Sequence, residues 1–74
     1  MRDYVYVVDH YNYDNPDVTY GTEFVTYNYI QAYDFIHQKA LSTNLTVEGE
    51  VLSDDFSLIY ANKNVYAITK FFIE

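Results

Sequence analysis

Only one segment of this 74-residue chain, "NYIQAYDFIHQKALS" at 28–42, repeats its apolar residues with the period of a helix. Asn28 can cap it, and Gln31 follows three residues later at capping-box spacing. At about 100° per residue, Tyr29, Tyr33, Ile36 and Ala40 form an apolar stripe flanked by Ile30, His37 and Leu41, while Gln31, Asp34 and Gln38 face away. Phe35 falls on the polar side of that wheel, which makes it a candidate partner contact. A lone amphipathic helix must bury its stripe on something else, and the rest of the chain reads as strands.

Those strands are "DYVYVVD" (3–9), "DVTYGTEFVTY" (17–27), "LTVEGEVL" (45–52), "FSLIY" (56–60) and "VYAITKFFI" (65–73). Gly21 interrupts the second, where a bulge or a turn of the chain is expected. The third alternates, with Leu45, Val47 and Val51 inward and Thr46, Glu48 and Glu50 outward. "ANKN" between the last two suits a tight hairpin, because Asn accepts positive φ. The expected order is β-β-α-β-β-β, an α+β fold with one helix on a small, mainly antiparallel sheet. With no repeat, linker or low-complexity tract, residues 1–74 read as a single domain.

One helix covers one sheet face. Tyr4, Tyr6, Tyr66 and Phe72, together with Ile68, are expected to share the opposite face, an apolar patch that a second chain would cover as a homodimer or another protein would dock on. Aromatics on an open sheet also suit base stacking, but that mode works beside a basic groove, and here Lys70 stands alone.

Charge carries that exclusion further. The chain has 11 Asp and Glu against four Lys and Arg, for a net charge of −7. No strong base lies between Arg2 and Lys39. Affinity for phosphate comes mainly from Lys and Arg, so nucleic acid and anionic membranes are disfavoured partners. Cysteine is absent, so neither disulfides nor thiolate metal sites supplement a core that is small at this length. The charged start "MRDYVYVVDH" and the lack of any long apolar run lead to a cytoplasmic expectation.

No constellation specifies a reaction. Aligned on a calcium loop, "NYDNPD" puts Pro16 at a ligand position and lacks the glycine that the turn needs. Asp9, His10, Asp14 and Asp17 have no fixed ligand spacing, and His37 reads as a helix-flank residue against the sheet. Ser42, Ser53 and Ser57 form no nucleophile signature with either histidine, and Asn44-Leu45-Thr46 lacks the secretory context a glycosylation site requires. The expectation is a binding protein without cofactor or metal, not an enzyme.

"DHYNYDNPD" (9–17) reads as the loop joining the first two strands, with Asx turns at Asp14 and Asn15 before Pro16. Turn chemistry does not call for Tyr11 and Tyr13. Beside Asp9, Asp14 and Asp17 they suit an Arg-rich surface, where carboxylates pair with guanidinium and tyrosine adds stacking area. The second acidic group is Glu48, Glu50, Asp54 and Asp55. Alternating strand residues lie about 6.6 Å apart, near the spacing of successive phosphates, which makes Glu48 and Glu50 candidate phosphate mimics. In size, charge and the segments "DHYNYDNPD" and "EGEVLSDD", the chain resembles the small acidic inhibitors that phages and other mobile elements encode, anti-restriction DNA mimics and anti-CRISPR proteins among them. The resemblance implies that the partner is a protein with a basic nucleic-acid-binding surface, such as a defence nuclease of a bacterial host.

Overall fold

The computed structural model describes residues 3–15 and 17–73. Pro16, expected at the first turn, and the terminal charges Arg2 and Glu74 lie outside the described residues. The elements are β1 (Tyr4–Asn12), β2 (Thr19–Thr26), α1 (Tyr29–Ser42), β3 (Val47–Val51), β4 (Phe56–Ala61) and β5 (Asn64–Phe72). One five-stranded sheet has the order β2-β1-β5-β4-β3, antiparallel throughout. The α+β architecture expected from the sequence is thus the one adopted, with α1 carrying the chain across one face from the β2 edge to the β3 edge.

Local chemistry sets the element ends. Asn28 Oδ1 accepts from the Ile30 and Gln31 amides at 2.8 and 3.3 Å, which satisfies two otherwise orphaned donors. Gln31 does not close the box on the cap. It accepts instead from the Thr26 hydroxyl at 2.6 Å, and that hydroxyl in turn accepts from the Asn28 amide. After the helix Asn44 adopts φ +61° and the Leu45 amide reaches back to the Ala40 carbonyl at 2.8 Å. Asn62, at φ +57°, turns the β4–β5 hairpin.

The helix face of the sheet is the core. Tyr6 and Val8 of β1, Ile59 and Ala61 of β4, and Tyr66 and Ile68 of β5 pack under Ala32, Ile36 and Ala40 of α1, all nearly inaccessible to solvent. This corrects the expected self-association face. Tyr4, Tyr6, Tyr66, Ile68 and Phe72 do share one face, but it is the face on which α1 packs. Tyr6, Tyr66 and Ile68 are buried there, the Tyr6 and Tyr29 rings meeting edge to face at 5.5 Å. Tyr4, edge-on against both Tyr6 and Phe72, is only partly buried, and Phe72 stays 70% exposed beyond the core. Alternation alone shows which residues lie together and is silent on which side the helix takes.

Phe35 is corrected too. It lies parallel to Phe24 at 4.6 Å, half-buried, because α1 sits toward β2 and presents its Ala32 and Phe35 side to that strand. Ile30 and Leu41, expected beside the stripe, are 66% and 74% exposed.

Candidate functional site

The segment 9–17 is not one loop. β1 runs on through Asp9, His10, Tyr11 and Asn12, because β5 continues beside it as far as the Asn12–Asn64 pair. Asp9 and Tyr11 therefore stand on the sheet face away from α1, and Asp9 accepts from the Thr22 hydroxyl at 2.7 Å. The connection proper starts at Tyr13. Asn12 Oδ1 accepts from the Asn15 amide and Asn15 Oδ1 from the Asp17 amide. Asp14, expected to form an Asx turn, instead pairs with Lys63 at 3.0 Å, both side chains being exposed.

A β-bulge breaks the alternation expected of "LTVEGEVL". Val47 pairs with Ala61 but Gly49 with Tyr60, so Glu48 is the additional residue and every later side chain changes face. Glu50 consequently points to the helix side, where Tyr33 donates to its carboxylate at 2.9–3.0 Å and His37 Nε2 lies 2.7 Å away. The Glu50 hydrogen bond, with burial second, raises the Tyr33 pKa. Val51 is left on the far face, 60% exposed. Glu48 and Glu50 thus do not form the expected outward pair at phosphate spacing.

The acidic residues divide between the two ends of the sheet, and Glu48 lies with Tyr13 at the β4–β5 hairpin end, away from Asp54 and Asp55. Asp54 and Asp55 are at the β3–β4 connection, where Lys70 Nζ binds Asp54 at 2.8 Å while lying 4.3 Å from the centre of the Tyr4 ring. That hydrogen bond, with the Lys70 ammonium charge, lowers the Asp54 pKa, and the same hydrogen bond, with the Asp54 carboxylate charge, raises that of Lys70. Burial, then the Asp54 charge, raises the pKa of Tyr6, whose hydroxyl points to the same carboxylate at 3.4 Å. At the other end the Tyr13 amide donates to the Lys63 carbonyl, which ties the first connection to the β4–β5 hairpin.

Two features were missed from the sequence. The first is a cleft of about 440 Å³ at the hairpin end, lined by Tyr13, Glu48, Gly49, Tyr60 and Asn62. The Tyr13 and Tyr60 rings meet edge to face at 5.9 Å, so each leaves a face available. Tyr60 stands two residues before the hairpin turn, and its place on the far face followed from the alternation of "FSLIY". The second is a polar cluster between β1, β2 and α1. His10 lies between the Tyr20 and Tyr66 rings, with Glu23 3.3 Å from Nδ1 and Asn64 2.6 Å from Nε2. Bulges in β2 at Tyr20 and Glu23 aim both residues at it. Lys39 lies 3.2 Å from the other Glu23 oxygen, an ion pair whose direction falls short of a well-formed hydrogen bond. Burial pushes the Glu23 pKa up, but Lys39 and His10 together outweigh it and hold the carboxyl below its ordinary value.

Chemically, this cluster is an ion-pair network flanked by Tyr20 and Tyr66. The His10 ring is bonded to Glu23 and Asn64 and, among the described residues, to no Ser, Thr or Cys side chain; the Thr19 hydroxyl reaches only the His10 carbonyl. Among the described residues no three His, Cys, Asp or Glu side chains gather to hold a metal ion, and no helix is long and apolar enough to cross a membrane. Each described lysine is paired with an acid: Lys39 with Glu23, Lys63 with Asp14, Lys70 with Asp54. No protein-family model, no curated protein and no solved structure matches the chain.

Proposed function

We propose that this chain is a small acidic protein-binding module of the inhibitor type, which occupies the basic nucleic-acid-binding surface of another protein. The observation that carries this reading is the hairpin-end cleft, lined by Tyr13, Tyr60, Glu48 and Asn62, with Asp14 next to Tyr13 in the chain and paired with Lys63 of the hairpin. An arginine of the partner fits that lining, its guanidinium stacking on a tyrosine face and pairing with the carboxylate. Asp17 adds an exposed carboxylate to the same connection. Since each described lysine is already paired within the chain, the surplus charge there is acidic and favours basic partners. The partner contact accordingly contracts from the two expected acidic groups to Tyr13, Asp14, Asp17 and Glu48, with Tyr60 added. Glu50 is engaged by Tyr33 and His37 and Asp54 by Lys70, and Asp55 lies at the far end with Asp54.

The test is retention of nucleic-acid-binding proteins from a nuclease-treated bacterial lysate on the immobilised chain. Wild type should retain such proteins, added DNA or high salt should release them, and Glu48→Lys or Tyr60→Ala should retain far less. Equal retention by wild type and both variants, or complexes indifferent to competing DNA, would refute the reading.

A further inference from the structure

Among the described residues nothing covers the sheet face away from α1. Three rows of side chains cross it: Val25–Val7–Thr69–Phe56, Asp9–Ala67–Leu58–Val51 and Tyr11–Val65–Tyr60–Gly49, with Val5 and Phe71 beyond the first. Val25, Val51, Phe56 and Phe71 are each about half exposed, between 48% and 60%. A monomer in water seldom leaves so continuous an apolar surface open, since each Å² retained in water forgoes about 25 cal/mol.

From this face we infer that two copies of the chain pack sheet against sheet as a twofold dimer. Three observations select a second copy as the occupant. The first is charge. The chain carries −7, yet within these rows Asp9 is the one ionisable carboxylate, and Thr22 on the edge strand holds it at 2.7 Å. A basic partner would find little to pair with here, whereas an equally uncharged face is what a second copy offers. β5 is the central strand, so a twofold axis along it lays β1 of one copy over β4 of the other and keeps the two Asp9 carboxylates apart.

The second is area. Five strands at about 4.8 Å spacing and about six residues of length span roughly 25 by 25 Å with their side chains, so pairing two such faces removes on the order of 1,000 Å² or more from water, the lower bound for a specific interface. The third is that the edges are closed to pairing. β2 carries bulges at Tyr20 and Glu23, and β3 is five residues long with a bulge at Glu48 and a second glutamate. Such edges resist strand addition, which leaves the face as the route of association. The Tyr13–Tyr60–Glu48 cleft opens at the corner of this face beside edge strand β3 and shares Tyr60 and Gly49 with the third row, so the dimer face and the arginine site overlap at that corner.

Sedimentation equilibrium from about 1 to about 300 μM covers the micromolar range that an interface of this size allows. Wild type should show a monomer–dimer equilibrium that tightens with added salt, because screening reduces the repulsion between two acidic chains. Val25→Lys and Phe71→Lys, both at half-exposed positions, should each weaken the dimer at least tenfold while circular dichroism stays unchanged. Leu41→Asp on the exposed side of α1 should leave it intact. A wild-type chain that stays monomeric throughout, a dimer indifferent to both lysine variants, or one disrupted by Leu41→Asp would overturn the inference.

Discussion

The Tyr33 hydroxyl, on the helix, lies within 3.0 Å of both carboxylate oxygens of Glu50, on the edge strand β3. With His37 on the same carboxylate, this contact ties the last strand of the sheet to the helix that arrives from the opposite edge. The geometry exists only because the bulge at Glu48 turned Glu50 around.

The first expectation concerns that link. Tyr33→Phe and Glu50→Gln should each cost about 1 kcal/mol, the usual net worth of such a hydrogen bond. The double variant should cost clearly less than the sum, as partners in one contact do. Glu48→Gln should stay within about 0.5 kcal/mol, as exposed positions do. Urea unfolding of the four variants against wild type measures all of this. Strict additivity would mean that the Tyr33–Glu50 contact contributes nothing in solution.

A second expectation separates the two glycines. Gly21 sits between the two β2 bulges at φ +95°, and a Cβ there would meet nothing within 4 Å, so the cost of Gly21→Ala is backbone strain alone, about 1 kcal/mol or more. Gly49 has no such φ, and a Cβ would touch Tyr60 at an ordinary 3.9 Å, so Gly49→Ala should be near neutral. Thermal melts of both variants decide it. Gly21→Ala should also loosen His10, since the flanking bulges place Tyr20 and Glu23 against it.

Much of the fold was legible because it rests on local rules. The helical repeat, the Asn28 cap and the Asn-rich hairpin each act within a few residues, and the sequence displays them directly. Gly21 marked the second strand for a bulge without showing that the additional residues are Tyr20 and Glu23, on either side of it, and nothing marked the third bulge at Glu48. Each bulge adds one residue to a strand and reverses the inside–outside assignment beyond it, which is why Glu50 and Val51 exchanged sides. Phe35 illustrates a different limit. A helical wheel gives direction around an axis, but whether that direction meets solvent or Phe24 depends on where the helix lies across the sheet. The cleft was invisible for the same reason, because its residues come from β3, β4 and two connections that meet only in the folded chain.

On the alkaline side, burial is the main cause that raises the pKa values of Tyr6 and Tyr66, and the Glu50 hydrogen bond that of Tyr33, all above the ordinary 10.0. A raised folded-state value means that the folded chain keeps a proton the unfolded chain releases. The associated stability is complete below pH 10 and is lost as pH climbs through the raised values. Tyrosinate absorbance followed together with circular dichroism should show part of the tyrosine signal delayed and then appearing along with unfolding. Tyr66→Phe removes one of the three groups and should flatten the fall in stability. A variant as steeply pH-dependent as wild type would mean that Tyr66 titrates alike in both states.

On the acid side the sign reverses. Glu23 is held below its ordinary 4.5 by Lys39 and His10 despite the opposing effect of burial, and Asp54 below 3.8 chiefly by Lys70. A lowered folded-state value means that the unfolded chain takes up the proton first. The contribution is therefore complete above the ordinary value and disappears as pH drops through the lowered one. Of the two, Glu23 is the stronger case, because its side chain is 18% exposed against 72% for Asp54, whose pair with Lys70 solvent largely screens. Denaturant midpoints measured from neutral pH downward should hold steady to about pH 5 and then fall. Glu23→Gln should start lower at neutral pH, since it leaves Lys39 and His10 without their carboxylate, yet lose less on acidification. The two curves should converge as Glu23 becomes protonated in the wild type. Parallel curves across that window would show that acid sensitivity arises elsewhere and that the Glu23 cluster does not couple folding to pH.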